Sequence, residues 1–364
     1  MQVPFFDLKR QMQNMKKEIE KRIETVLDRG VFILGPECSN FEENFAKYVG
    51  SKYSIGVASG TEAIQLALMA LEVGNEDEVI TTSTTAFPTA AAITSVGAKP
   101  VFIEVLETNN LIDPKKVEEK ITKKTKAIIA VHLYGNSSDI DPILDICKKH
   151  KIHLIEDCAQ SLGTKYKNKK TGTYGTIGCF SFYPTKNLGA CGDAGMCVTN
   201  QKEIAEKIRM IRNYGETSKY VNQIKGINSR LDEIQAAILD LKLKYVDEWI
   251  DKKRKLASIY DKKMNNELIQ KLEVTKNSQH TYHIYAIKCE RRDELKRFLE
   301  KNGIITLIHY PTPIHKQEAY KKDYPNLSLP ISEKICNEIL SLPIFPEMSE
   351  EEAEYVCKTI NRFK

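Results

Sequence analysis

The feature that most limits what this chain can fold into is an alternation running through residues 53–210. Short apolar runs at 53–58, 78–82, 99–103, 126–132, 153–156, 177–182 and 196–199 have the length of strands. Between them lie segments with helical spacing at 60–71, 87–96, 114–120, 140–150 and 201–210. Strands separated by helices are joined by crossovers, which give a mostly parallel sheet covered on both faces. The fold class expected is therefore α/β. The 60–71 segment is apolar nearly all round (Ala63, Ile64, Leu66, Ala67, Leu68, Met69, Leu71), so it should be a buried helix.

The flanks read differently. Residues 8–29 carry mixed charge with Met12, Met15, Ile19, Ile23, Val26 and Leu27 at helical spacing, and Gly30 supplies a stop. A second helix is expected at 39–48 and a long one at 231–247, followed by a Lys/Asp-rich run at 251–263. Beyond it the pattern predicts strands at 281–288 and 304–310, a helix at 292–301 and a final helix at 349–361. Ser349 and Glu352 have the spacing of a capping box there. These readings divide the chain into a large domain at 1–247 and a smaller α+β domain at 248–364.

Composition narrows the function classes. A chain of 364 residues has room for two domains. With 41% hydrophobic and 28% charged residues, it is not a disordered chain. The balance of 54 Lys+Arg against 49 Asp+Glu leaves +5, too little to argue for nucleic acid or a membrane surface. No apolar run approaches the ~20 residues of a membrane span. The start, Met1-Gln2-Val3-Pro4, lacks the basic flank and apolar run of a signal peptide. The nine cysteines are odd in number and scattered, with no Cys-x-x-Cys. They read as reduced thiols of a cytoplasmic protein and argue against structural zinc. His150 and His153 flank a helix–strand turn, and His280 and His283 read as packing or surface residues. No spacing among them indicates a metal site.

In open α/β sheets, ligands bind at the carboxyl ends of the strands. Three stretches stand there. Ser59-Gly60-Thr61 opens the apolar helix, where free N–H groups make either a phosphate cradle or an ordinary cap. Glu156-Asp157 ends a strand and offers a carboxylate for a protonated ring nitrogen, a helix cap or a metal. Lys186 follows an apolar strand and precedes small residues (Gly189, Ala190, Gly192, Ala194, Gly195). A desolvated amine there is a nucleophile able to form a Schiff base; a solvated one is only a turn lysine. Taken together, a phosphate seat, a carboxylate and an amine fit pyridoxal phosphate. No P-loop and no Gly-x-Gly-x-x-Gly is present, which argues against common nucleotide binders.

From Gly35-Pro36 to about Tyr320, the chain resembles the nucleotide-sugar aminotransferases of the DegT–StrS type. The resemblance rests on Ala58-Ser59-Gly60-Thr61-Glu62-Ala63, His132-Leu133-Tyr134-Gly135, Glu156-Asp157-Cys158-Ala159-Gln160 and Ser181-Phe182-Tyr183-Pro184-Thr185-Lys186-Asn187-Leu188-Gly189. It extends to Gly192-Asp193-Ala194-Gly195, Arg212-Asn213-Tyr214-Gly215, Gly226-Ile227-Asn228-Ser229-Arg230-Leu231 and Ile308-His309-Tyr310-Pro311. It implies the aspartate-aminotransferase fold (fold type I) and pyridoxal 5'-phosphate as cofactor.

It also implies roles. Lys186 resembles the lysine that holds the cofactor and shuttles the proton. Asp157 resembles the partner of the ring nitrogen, and Gln160 lies near the phenolic oxygen. Gly60, Thr61 and Ser181 match phosphate ligands. Asn228 matches one donated by a second subunit, which implies a homodimer with shared sites, and Arg230 stands beside it. His309, Tyr310 and His315 match a substrate loop. One position departs from the pattern: many members carry an aromatic where this chain has Ala86, so Phe87 either supplies the stacking face or points into the core.

Lysine at 186, where some relatives carry histidine and act as dehydratases, favours transamination. The donor implied is glutamate. The acceptor implied is a dTDP- or UDP-linked keto-6-deoxyhexose; the likeness is greatest to members that aminate C-3 of a dTDP-sugar, for amino sugars of surface glycans such as lipopolysaccharide. Amination at C-4 is the close alternative. A regulatory or binding protein that kept the fold without catalysis is the alternative from another class.

Overall fold

A computed structural model describes residues 1–364. All seven strand candidates between residues 53 and 199 join one sheet. In order across it they are Tyr53–Val57, Gly195–Thr199, Ile177–Ser181, His153–Asp157, Thr125–Val131, Glu78–Thr82 and Lys99–Ile103. Gly195–Thr199 runs antiparallel to both neighbours, and every other pairing is parallel. Parallel strands have both faces covered, so they are apolar throughout rather than alternating. Thr125–Val131 shows this: Ala127, Ile129 and Val131 enter one core, and Ile128 and Ala130 enter another behind the sheet.

The Gly60–Ala70 helix fills the first of these cores with Ala63, Ile64, Leu66, Ala67 and Leu68. The Ile140–His150 helix covers the opposite face with Ile140, Ile143 and Cys147. A three-stranded antiparallel sheet (Gln270–Lys271, Tyr285–Lys288, Ile339–Leu342) supports the C-terminal part. The capping box is present at the last helix, Glu350–Ile360. The Ser349 hydroxyl accepts from the Glu352 N–H at 3.1 Å, and Glu352 accepts from the Ser349 N–H at 2.8 Å. No helix is long and apolar enough to cross a membrane.

Three expectations are corrected. The helix expected at 231–247 is two helices, Glu233–Leu243 and Val246–Lys263. The charge-rich run belongs to the second. Its Trp249, Ile250, Lys253, Leu256, Ala257 and Tyr260 recur at helical spacing and are buried, a stripe hidden among lysines and aspartates. Residues 304–310 form no strand. They make only single bridges, Val3 to Ile304 and Leu307 to Ser341. The 281–288 segment is a strand only over Tyr285–Lys288.

The Val246–Lys263 helix serves two cores. Val246, Trp249 and Ile250 lie in one, while Leu256, Ala257 and Tyr260 lie in another that also takes Val3. We propose that the division between the two units runs through this helix, with the first few residues of the chain packed on the second unit.

Candidate active site

The site is built at the carboxyl ends of the parallel strands. Asp157 closes the His153–Asp157 strand and is 5% exposed. Its Oδ1 accepts the Ala159 N–H at 3.1 Å and its Oδ2 accepts the Thr89 hydroxyl at 2.8 Å. Burial pushes this carboxyl above the usual carboxylate range, opposed by those two hydrogen bonds and by the charge of Lys186. Lys186 lies five residues past the Ile177–Ser181 strand. Burial pulls its amine down to about 8, against the attraction of Asp157. An amine in that range is a nucleophile near neutral pH.

The Gly60–Ala70 helix begins against Ser181. A Cβ on Gly60 would stand 2.5 Å from the Ser181 Cβ, so only glycine lets the helix start come this close. The Ser59 hydroxyl accepts the Glu62 N–H at 3.2 Å, and the Ala63 N–H bonds to the Ser59 carbonyl. The Gly60 and Thr61 N–H groups are left at the positive end of the helix, beside the Ser181 hydroxyl. That is an anion seat.

Gln160 ties this floor to the loop at 309–310. Its Oε1 accepts the Tyr134 N–H at 2.7 Å, and its Nε2 donates to the Tyr310 hydroxyl at 3.1 Å. The Tyr134 hydroxyl donates to the His309 carbonyl. The His309 Nδ1 is 2.9 Å from the Ser341 hydroxyl. Burial and the nearby charge of Lys186 bring the His309 ring down to about 4, so it is neutral near pH 7. Lys186, Asp157, Gln160, His309 and Tyr310 thus belong to one cluster.

Residues 13–361 match the model of the DegT/DnrJ/EryC1/StrS aminotransferase family. The chain belongs to this family. A protein of Aneurinibacillus thermoaerophilus named dTDP-3-amino-3,6-dideoxy-alpha-D-galactopyranose transaminase is 46% identical, with 99% of each chain covered. A Geobacillus stearothermophilus protein named a pleiotropic regulatory protein is 45% identical, covering 100% of this chain and 99% of its own. The crystal structure of NtdA from Bacillus subtilis with the cofactor PMP bound superposes with a TM-score of 0.93. It is 32% identical and is covered over 84% of its length by 99% of this chain.

The chain is accordingly a pyridoxal-phosphate aminotransferase of the aspartate-aminotransferase fold, as the resemblance implied. The residues present fit the cofactor: unpartnered N–H groups for its phosphate, a buried carboxylate for its ring nitrogen and a desolvated amine for its aldehyde.

The other positions singled out in the sequence of this aminotransferase fall elsewhere. Phe87 begins the Phe87–Ser95 helix, is 39% exposed and lies 5.5 Å from the Tyr320 ring, so it does not point into the core. His315 is placed in the interior, which corrects its expected place on a substrate loop. It is fully buried, with Nδ1 2.9 Å from the Ser83 hydroxyl and Nε2 3.1 Å from Glu333. With both nitrogens engaged, it anchors the loop instead of facing a substrate. Asn228 is exposed, bridged to Asn213, and Arg230 donates to the Asn213 side chain at 3.0 Å. Neither bonds to the Lys186 cluster.

Sequence reasoning missed Thr89 and Tyr134 as parts of the site. Tyr134 stood in a quoted motif, but nothing in the motif shows that one tyrosine holds both Gln160 and the His309 carbonyl. It also treated Glu156 only as the neighbour of Asp157.

Glu156 is fully buried and accepts N–H groups from Gly172, Tyr174 and Gly175, each at 2.7 Å. His132 Nε2 is 3.0 Å from it, while His132 Nδ1 accepts the Ser138 N–H at 3.0 Å. That pattern puts the ring proton on Nε2, donated to Glu156. His132, Glu156 and Cys158 come close enough to hold a metal, but the first two already spend their lone pairs on these bonds. Burial alone would raise Glu156, yet His132 and the backbone N–H groups hold it below the usual range. With its folded pKa depressed, its stabilising effect is complete above the ordinary carboxylate range and fades as pH falls through the lowered value. Glu156→Gln should cost about 3 kcal/mol in denaturant unfolding at pH 7, because an amide cannot accept all three N–H groups. The gap to wild type should narrow in acid; a variant as stable as wild type at pH 7 would refute this.

Proposed function

We propose that this aminotransferase moves an amino group from glutamate to C-3 of a dTDP-linked 3-keto-6-deoxyhexose. The observation that carries the catalytic part is a desolvated Lys186 amine close enough to the buried Asp157 carboxyl for each to feel the other's charge. Bound pyridoxal phosphate supplies an electron sink. The chain supplies the rest. Gly60, Thr61 and Ser181 would hold the phosphate, Asp157 would keep the ring nitrogen protonated, and Gln160 would stand near the phenolic oxygen. Phe87 offers an aromatic face. Lys186 Nζ would take the proton from the donor's Cα and carry it across to the far side of the amino nitrogen. His309 and Tyr310 border the acceptor. A neutral His309 adds no cation to a site that must accept an incoming carbonyl.

The acceptor class is supported by the relative that is 46% identical and named for a dTDP-3-amino sugar. The regulatory name of the other relative does not displace the reading, because a binding protein has no use for a desolvated amine opposite a buried acid.

We also propose a homodimer in which Asn228 of each subunit completes the other's phosphate seat, with Arg230 beside it. The support is an exposed apolar stretch. Val31, Phe32, Ile33 and Leu34 are 37–46% exposed, and Phe32 and Ile33 are pinned beside the 228–232 segment by the Glu233 N–H on the Phe32 carbonyl and the Ile33–Asp232 bridge. A cytoplasmic setting is supported by nine free cysteines, none of them paired.

The test is to incubate the protein with glutamate and dTDP-linked 3-keto- or 4-keto-6-deoxyhexoses and locate the new amine by NMR. An amine at C-3 is expected. An amine at C-4, or on a UDP-sugar only, would overturn the acceptor assignment. A colourless protein that takes up no pyridoxal phosphate would overturn catalysis altogether.

A further inference from the structure

The turn that carries Lys186 is gripped by two other buried lysines. Lys242, on the Glu233–Leu243 helix, is 1% exposed and donates from Nζ to the Gly189 carbonyl at 2.6 Å. Lys253, on the Val246–Lys263 helix, is 2% exposed and donates to the Asn187 Oδ1 at 3.0 Å and to the His283 carbonyl at 3.2 Å. Asn187 itself donates to the Leu162 carbonyl at 3.2 Å. Lysine is rarely buried without a purpose, and both amines here rest on neutral oxygens.

Lys253 stands at a junction. Its helix spans both cores, Asn187 adjoins Lys186 in the first unit, and His283 precedes the Tyr285–Lys288 strand of the second. We infer that Lys253 is a positioning residue for catalysis: through Asn187 it fixes the direction of the Lys186 amine, and through the His283 carbonyl it ties that turn to the second unit. This rests on the assignment of Lys186 as the cofactor-binding lysine. The titratable groups facing Lys253 are Lys186, Glu347, His280 and His283. Burial brings Lys253 itself down to about 7, so it carries part of a positive charge near neutral pH. That charge opposes a second one on Lys186.

The consequences are specific. In the holoenzyme, Lys253→Met should lower kcat about ten- to a hundredfold, the scale of a small misplacement of a reacting group, with KM for either substrate moving less than about threefold. The pH midpoint of the bound cofactor's visible absorbance should rise by about half a unit or more, because a neighbouring positive charge is gone. Lys253→Gln keeps a donor for Asn187 without the charge. It should recover part of the rate and keep the raised midpoint. Asn187→Ala removes the same contact from the other side, so its loss should not add to that of Lys253→Met. Lys252→Met, at an exposed neighbour paired with Glu248, should behave as wild type.

If Lys253→Met does not fold, the midpoint and the partial rate of Lys253→Gln carry the test. An unshifted midpoint, or fully additive rate losses, would overturn the inference. Borohydride reduction and peptide mapping of the wild type separate the two claims. A label on another lysine removes the Lys186 assignment and this inference with it. A label on Lys186 together with unchanged spectra in the Lys253 variants overturns the inference alone.

Discussion

Lys186→Ala should abolish the covalent attachment of pyridoxal phosphate and lower turnover by roughly a thousandfold or more, the scale of losing both a nucleophile and a positioned proton carrier. The fold should survive. Lys186 makes no side-chain hydrogen bond of its own, and the turn is held by other groups: the Lys186 N–H on the Tyr183 carbonyl and the Ala190 N–H on the Phe182 carbonyl, both at 2.8 Å. Two measurements check this. Borohydride should fix the cofactor to the wild type and not to the variant, as read by mass spectrometry. A small primary amine added in solution should restore part of the half-reaction with glutamate, because the missing proton acceptor is then supplied from outside. Wild-type attachment in the variant would mean that another lysine carries the cofactor. Lys253 would then be the first to examine, as a second desolvated amine near the cluster.

Asp157→Asn should be nearly as damaging, lowering kcat by about two to three orders of magnitude, as removal of a preorganised electrostatic partner does. The argument is one of charge, not shape. Asparagine keeps an oxygen for the Ala159 N–H, and the Thr89 hydroxyl can turn to accept from the new amide. What goes is the negative charge. Burial raises the Asp157 carboxyl even against the opposing charge of Lys186. With the cofactor bound, a protonated ring nitrogen would add a cation opposite Asp157, and each charge would then hold the other in place. In the variant the ring nitrogen loses its proton and the ring its pull on electrons. The expected signature is a slow half-reaction with glutamate while the absorbance band still forms. A variant within about fivefold of wild type would show that Asp157 does not set the protonation of the ring.

Much of this was legible in the sequence, for a physical reason. Buried parallel strands must be apolar, and their crossovers must be amphipathic, so 53–199 shows both patterns without ambiguity. Lys186, Asp157 and Gly60 could be singled out because each stands at or a few residues past the carboxyl end of a strand, where this kind of fold places ligands. The charge-rich helix was misjudged because its apolar stripe is thin and its lysines obscure it. The 304–310 segment alternates as a strand does, since Ile304 and Thr306 are buried while Ile305 and Leu307 are exposed, but it finds no continuous partner. Period alone cannot report pairing. Thr89 and Lys253 were invisible for a third reason. Each acts through a contact far along the chain, 68 residues to Asp157 and 66 to Asn187, and no local pattern encodes such a meeting.

If the two proposed units turn against each other, the unbroken Val246–Lys263 helix limits how they can do so. A flexible joint would let one half swing while the other stood still. A rod of 18 residues, about 27 Å long, does not bend that way. Any rotation must tilt it as a lever, and a tilt of about 10° about its centre carries each tip some 2 Å while the middle stays nearly in place. Lys253 is the eighth residue of the rod, close to that fulcrum. In such a rotation the grip on Asn187 would sit at the point of least travel, and Lys186 would keep its aim while the ends of the lever swing.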